Sequence, residues 1–269
     1  MAKYKKKRAR ELKHDVFRDT AMQVLDRAGD RLEGKGRAIL YGIGGFLVAA
    51  ALIGGIWHWR TRKADEARQA LGRAITISST SVTPTPSSGS SAPSFTSEQE
   101  RAQKAIEEFQ KVAAKYGDPY RAEANYFIAT NRLYLDRPKA IAELTELSKN
   151  SDDEVATLAK FALAQAKEGD GKYDEAAALY RELVSRNGAV VTAETANLQL
   201  AKLYVKQGKK KEATDLLFSI VDAARKAKDQ DGAPATQSQA ARDAAQELQK
   251  VDPDRYAQLP AEAPPNLAF

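Results

Sequence analysis

Apolar residues recur along this chain with the spacing of packed helical hairpins. In four places an alanine is followed by large apolar residues four and seven positions later; the sets are Ala105/Phe109/Val112, Ala140/Leu144/Leu147, Ala176/Tyr180/Leu183 and Ala213/Leu217/Ile220. Positions 0, 4 and 7 lie on one face of a helix, and a small side chain there lets a neighbouring helix approach closely. The alanines are 35, 36 and 37 residues apart, a period typical of stacked helix–turn–helix units. The pattern therefore predicts an all-α helical solenoid.

The segments before these alanines carry a second helical pattern. Leu200, Ala201, Tyr204 and Gly208 precede Ala213, and Leu163, Ala164 and Gly171 hold the same register ahead of Ala176, although Lys167 stands where tyrosine is usual. Ala129 lies one position closer to its following alanine, which predicts a shorter turn. Residues 98–228 thus resemble tetratricopeptide (TPR) repeats, in which two helices form each unit.

Local signals predict where several helices begin. Ser97 with Glu100 forms a capping-box pattern, and we expect further helix starts at Asp118-Pro119 and at Ser151 with Glu154. Residues 229–269 weaken as a repeat. We expect one helix there, with Ala241, Ala244 and Leu248 inward, to cover the last repeat, followed by a mobile tail from residue 260.

Residues 38–59 contain 22 consecutive positions without a formal charge at neutral pH. As a helix they would extend roughly 33 Å, against about 30 Å for a bilayer core. A buried core helix and a cleaved signal peptide are the alternatives. Both are less favoured, because the segment lacks polar positions before His58 and follows 37 residues. The pattern predicts a single transmembrane helix that anchors the protein in a membrane.

The net charge of +6 resides in the N-terminal segment, because residues 1–37 hold 12 Lys/Arg and 6 Asp/Glu. This short basic segment is expected in the cytoplasm, with the C-terminal domain extracytoplasmic. It contains an amphipathic pattern that could lie on anionic lipid, but a basic retention signal is favoured. Contact with RNA or the ribosome is a further alternative, although only Tyr4 is interleaved among its first basic residues. We expect no nucleic-acid partner.

Residues 60–77 continue as a predicted membrane-proximal helix. Residues 78–97 follow, in which 17 of 20 are Ser, Thr, Pro or Gly. Such a composition cannot bury a core and predicts a flexible loop.

The sequence argues against catalysis. It contains no cysteine and only two histidines, His14 and His58, both N-terminal to the repeats, and no HExxH, GxSxG or P-loop motif occurs. The stretch from Gly42 to Gly45 fails the dinucleotide fingerprint, because Leu47 replaces its third glycine. We expect no enzyme activity, no metal, no cofactor and no small-molecule substrate.

A basic head, one membrane span and repeats such as "TAETANLQLAKLYVKQGKKKEA" together resemble a bacterial family. Proteins of this family serve as the ancillary subunit of the SecYEG translocon. The same type of repeat domain also occurs in a cell-division coordinator. The resemblance implies a periplasmic repeat domain that binds translocon subunits, membrane-anchored chaperones and exported client proteins. The alternative is a structural scaffold for envelope or division assemblies.

Two sets of candidate binding residues follow. First helices line the ligand groove in TPR arrays, so we expect Phe161, Gln165, Leu198 and Lys202 to face a peptide groove for extended apolar segments, with packing of Phe161 and Leu198 between units as the alternative. In the predicted membrane span, small residues four apart could pack against a partner helix; they are Gly45, Ala49, Ala50, Ala51, Gly54 and Gly55.

Overall fold

The computed structural model describes residues 36–83 and 94–262, without the side chains of residues 36–49 and 55–57. The chain divides into two compact units, Met1–Asp65 and Glu66–Phe269. The described helices are α1 Gly36–Ser79, α2 Glu98–Lys115, α3 Tyr120–Arg132, α4 Arg137–Leu147, α5 Asp153–Gly169, α6 Tyr173–Arg186, α7 Ala193–Lys206, α8 Lys210–Lys226, α9 Gln239–Val251 and α10 Pro253–Tyr256. The repeat part is an all-α, TPR-like helical solenoid.

The predicted repeat register is correct at every pair in the second compact unit. The four repeat alanines, Ala105, Ala140, Ala176 and Ala213, are each 0% exposed. The large residues four positions later, Phe109, Leu144, Tyr180 and Leu217, are also 0% exposed. They lie on the second helices α2, α4, α6 and α8. These helices approach their partners closely because alanine occupies the contact position.

Two of the helical pairs turn through the same glycine-dependent geometry. Gly171 and Gly208 both have a φ of +73°, a left-handed conformation that glycine adopts without a Cβ clash. After α5, the N–H of Lys172 donates to the carbonyl of Lys167 at 2.9 Å. After α7, the N–H of Lys209 donates to the carbonyl of Tyr204 at 2.9 Å. Both are Schellman motifs, which satisfy the last carbonyls of a helix.

The turn between α3 and α4 differs from the prediction. It spans residues 133–136, whereas residues 170–172 and 207–209 join the other two pairs. The first helix of the pair is shorter instead. Helix α3 ends three residues after Ala129, whereas α5 ends five residues after Ala164. The N–H groups of Leu133 and Tyr134 donate to carbonyls three residues back. A tightened helix end thus replaces the glycine turn.

Helix caps confirm one predicted start and correct another. The Ser97 hydroxyl accepts from the N–H of Glu100 at 3.1 Å, as the capping pattern predicts, while the Glu100 carboxylate accepts from the N–H of Thr96. The predicted cap at Ser151 is wrong by one residue. Asp152 caps α5, because its carboxylate accepts from the N–H groups of Glu154 and Val155. A carboxylate also interacts favourably with the positive end of the helix dipole.

The C-terminal helix α9 covers the last repeat as predicted. Ala241, Ala244 and Leu248 are each 0% exposed and pack in one cluster with Leu217 and Val221 of α8. The following chain is held as far as Pro260, whose carbonyl accepts from Arg225 at 2.5 Å. Residues 263–269 of the predicted tail lie outside the described residues.

Helix α1 contains the predicted membrane span. Within the parts of the chain that the structure describes, no helix is sufficiently long and apolar to cross a membrane. Much of the predicted span at 38–59 lies outside the described side chains. Of the part that is described, Leu52, Ile53 and Trp59 are exposed.

Candidate functional site

An open polar cavity lies in the second compact unit, between the carboxyl ends of first helices and the beginnings of second helices. Its volume is about 520 Å³, and its wall includes Arg101, Tyr126, Asn131, Tyr134, Arg137 and Gln165. These residues come from α2, α3, α4, α5 and the turn after α3. The cavity lies at the carboxyl ends of α3 and α5, and we call it the polar cavity.

One buried amide joins the end of α1 to α3. Asn131 is 4% exposed, and its Nδ2 donates to the carbonyl of Phe127 at 2.8 Å. Its Oδ1 accepts from the hydroxyl of Ser78 at 3.0 Å. Both bonds satisfy a polar group that would be costly to bury alone. Asn131 therefore links α1 to α3 beside the polar cavity.

Two arginines on the cavity wall are held by acceptors close by. Arg101 pairs with Glu98 and donates from Nη1 to the carbonyl of Thr80 at 3.2 Å. Arg137 pairs with Asp170 and donates from Nη2 to the carbonyl of Ala166 at 2.6 Å. These contacts orient both guanidinium groups and reduce their local net charge.

Other polar groups on the wall have no such partner. The side chain of Gln165 is exposed and makes no hydrogen bond to any residue in 36–83 or 94–262. The hydroxyl of Tyr126, which is half-buried, also makes none to the residues described. Burial raises the pKa of Tyr126 above its ordinary value, so the hydroxyl stays protonated as a donor at neutral pH. The wall thus offers an amide and a hydroxyl to a ligand.

Tyr126 also borders a second, smaller cavity near the amino ends of α3 and α5. This cavity has a volume of about 220 Å³; its lining includes Ile75, Phe127, Val155 and Leu158 together with three acidic residues. The acidic residues are Glu123, Asp152 and Glu154. We call it the acidic cavity. Burial first, and then the charges of Glu154 and Asp152, raise the pKa of Glu123 above its ordinary value.

The structure does not bring the four predicted groove residues together in either cavity. Gln165 lies on the wall of the polar cavity, whereas Lys202 is half-buried on α7. Phe161 packs edge-on against Tyr180 at 6.0 Å. Leu198 is 3% exposed within the cluster formed with α8 and α9. Phe161 thus packs against the second helix of its own unit, and Leu198 packs against α8 and α9.

The predicted packing residues of the membrane span belong to the first compact unit. Ala50, Ala51 and Gly54 are exposed. The side chains of Ala49 and positions 45 and 55 lie outside the described residues.

Sequence reasoning missed most of the polar cavity. Arg101, Tyr126 and Arg137 lie on three different helices, so no local motif joins them. One signal was present: Asn131 lies three residues after Ile128, where the apolar stripe of α3 predicts another buried apolar side chain. A polar residue on such a stripe indicates a position with a specific hydrogen-bond partner. Among the described residues, no cluster of His, Cys, Asp and Glu could hold a metal ion.

Comparisons with known proteins agree with the repeat pattern over part of the chain. Residues 168–232, which include α6, α7 and α8, match the tetratricopeptide repeat family model. No curated protein sequence matches the chain.

Two solved structures are similar to it. One contains nearly identical TPR-like repeats of the kinesin light chain type from Podosopora anserina, with 16% identity and a TM-score of 0.49, covering 69% of this chain and 85% of that chain. The other is a variant of that protein, with 17% identity, a TM-score of 0.49 and coverage of 69% and 84%.

Proposed function

We propose that this protein is a TPR-type binding module that holds an extended segment of a partner protein along α1, α3 and α5. The observation that carries the proposal is the polar cavity, whose wall presents the unengaged amide of Gln165 and hydroxyl of Tyr126. An amide both donates and accepts, so it can pair with the main chain of an extended peptide. Main-chain recognition of this kind is compatible with many client sequences.

The charges on the cavity wall favour weak binding of a peptide. Arg101 and Arg137 are already engaged by carboxylates, so a partner gains little from their charge. Binding therefore depends on the main chain of the partner and on side chains that enter the two cavities. We therefore expect extended or unfolded segments to be bound weakly.

A crosslinking experiment in cells tests this proposal. A photoreactive amino acid at position 165 points into the polar cavity, and one at position 146 serves as the control. The side chain of Glu146 is 80% exposed on the second helix α4. We expect a partner to crosslink from position 165 and not from 146. Equal capture from both positions would show that the cavity is not the binding site.

We further propose that residues 38–59 anchor the protein in a bacterial inner membrane with the repeats outside the cytoplasm. The 22 uncharged residues support an anchor, and so do the exposed side chains of Leu52, Ile53 and Trp59, which lipid would cover. A phosphatase fused after Phe269 is expected to be active. An inactive phosphatase, with an active cytoplasmic reporter at the same position, would reverse the orientation.

The partners we propose are translocon subunits, membrane-anchored chaperones and exported proteins. The resemblance of the head, span and repeats to the ancillary translocon subunit supports this choice. Identification of the protein captured from position 165 decides the matter. A division or envelope component there would favour a structural scaffold instead.

The small residues of the span provide a separate test of partner choice. Replacement of Gly45 and Ala49 with leucine, or of Ala51 and Gly55 with leucine, keeps the span apolar but fills a possible helix contact. We expect one pair of changes to reduce copurification of membrane partners. If neither does, the span is only a tether.

A further inference from the structure

We propose that the acidic cavity receives a lysine or arginine side chain of the bound segment. The protein would then select partners that carry a basic residue. This inference rests on the proposed function and names the chemistry of the partner. The side chain would place its methylene groups on the apolar floor and its cation among the carboxylates at the rim.

The floor of the acidic cavity is apolar and well supported. Phe127 stacks on Phe109 with ring centroids 4.8 Å apart and planes 8° from parallel. Val155 is 1% exposed, while Ile75 at the mouth is 36% exposed. Lysine and arginine carry long apolar stems that cover such surfaces while the charged end stays near water. A short acidic or polar side chain would leave this floor unfilled.

Among the residues described, no basic side chain forms an ion pair with the carboxylates of the rim. Asp152 is engaged as the cap of α5, where its carboxylate accepts from the N–H of Glu154 at 3.0 Å. Burial first, and then the charges of Glu154 and Asp152, raise the pKa of Glu123 above its ordinary value. A cation from the partner would offset the charge of these carboxylates.

The two cavities differ in charge. Tyr126 lines both, with Arg101 and Arg137 on the polar side and the three carboxylates on the other. Because carboxylates already pair with both arginines, a basic side chain is attracted at the amino ends of α3 and α5 and gains nothing at their carboxyl ends. This difference in affinity between the two subsites favours one direction of the bound segment.

The test uses the full-length chain in detergent and two ten-residue peptides labelled for fluorescence anisotropy. The peptides are identical, with blocked ends and central leucines, except that one carries a central lysine and the other norleucine. We expect the lysine peptide to bind about fivefold more tightly, as partly exposed ion pairs allow. The preference should weaken as salt is added.

Variants locate the effect. A Glu123→Gln, Glu154→Gln double variant keeps the cavity shape and should bind both peptides equally. The control Glu212→Gln removes an exposed glutamate from the first turn of α8 and should keep the fivefold preference. Equal binding of the two peptides by the unaltered protein overturns the inference, and so does a preference that survives in the double variant.

The outcome is separable from that of the proposed function. If a partner crosslinks from position 165 while neither peptide binds, or both bind equally, the groove binds proteins but the lysine subsite is wrong. If no partner crosslinks from position 165 and the peptides fail to bind, both proposals fail.

Discussion

Tyr180 donates a hydrogen bond of 3.1 Å to the Oε2 atom of Glu168. The other carboxylate oxygen, Oε1, accepts from Lys206 at 2.6 Å. Since these residues lie on α5, α6 and α7, one carboxylate ties three successive helices together. Tyr180 is 0% exposed, so water cannot replace Glu168 as the acceptor for its hydroxyl.

Replacement of Tyr180 by phenylalanine should lower the free energy of unfolding by about 1.5 kcal/mol, the lower range for a hydrogen bond to a charged group. Urea denaturation followed by circular dichroism measures the change. Tyr173→Phe is the matched control on the same helix, because the hydroxyl of Tyr173 makes no hydrogen bond to a described residue. An equal loss in both variants would mean that the Glu168 bond contributes nothing.

The repeat alanines should not tolerate larger side chains. Ala176 is 0% exposed, and leucine there would force α5 and α6 apart, which we expect to cost about 1–3 kcal/mol. Ala178, two positions along the same helix, is exposed and accepts leucine with little change. Denaturation midpoints of Ala176→Leu and Ala178→Leu provide the comparison. Similar midpoints would disprove the close approach of the two helices.

The glycine turns should be sensitive to a Cβ for backbone reasons alone. At Gly171 and Gly208, φ is +73° and a Cβ would meet no atom within 4 Å. Alanine at either position should therefore cost about 1 kcal/mol through the left-handed conformation. Gly117→Ala is the control, since an added Cβ there also meets nothing within 4 Å and no positive φ occurs. A stability gain at position 171 or 208 would contradict the Schellman geometry.

The contribution of Glu123 to the free energy of unfolding should be less favourable at neutral pH than at mildly acidic pH. Its pKa in the folded protein is raised above the ordinary value of 4.5, so the folded state prefers the protonated carboxyl. That preference destabilises the fold as pH rises through the window above 4.5. Glu123→Gln should therefore raise the thermal midpoint at pH 7, and the gain should vanish once the carboxyl is protonated in both states.

The control for this pH series is Glu212→Gln, which also removes a glutamate from the first turn of a helix. It should give no gain at pH 7, because Glu212 is exposed. A gain for Glu123→Gln that persists unchanged at low pH would show that the effect is not electrostatic.

The repeat fold was predictable because its determinants are local and periodic. A small residue at Ala176, with Tyr180 and Leu183 on the same face, is visible in a single stretch of sequence. The Ser97 cap was predictable for the same reason, since its partner lies three residues away. The prediction of the α5 cap was wrong because two adjacent residues, Ser151 and Asp152, could both cap the helix. The carboxylate of Asp152 accepts from the first N–H groups of α5.

The sequence by itself therefore determined that this chain forms paired helices, which faces of those helices are buried, and where glycine permits the turns. Only the tertiary structure decided which polar residues share a cavity. Arg101, Tyr126, Arg137 and Gln165 line one cavity because helices from different pairs lie side by side, although Arg101 and Gln165 are more than sixty residues apart in the sequence. Helical periodicity specifies the direction of a side chain about its own axis, but the packing of helices specifies what that side chain faces.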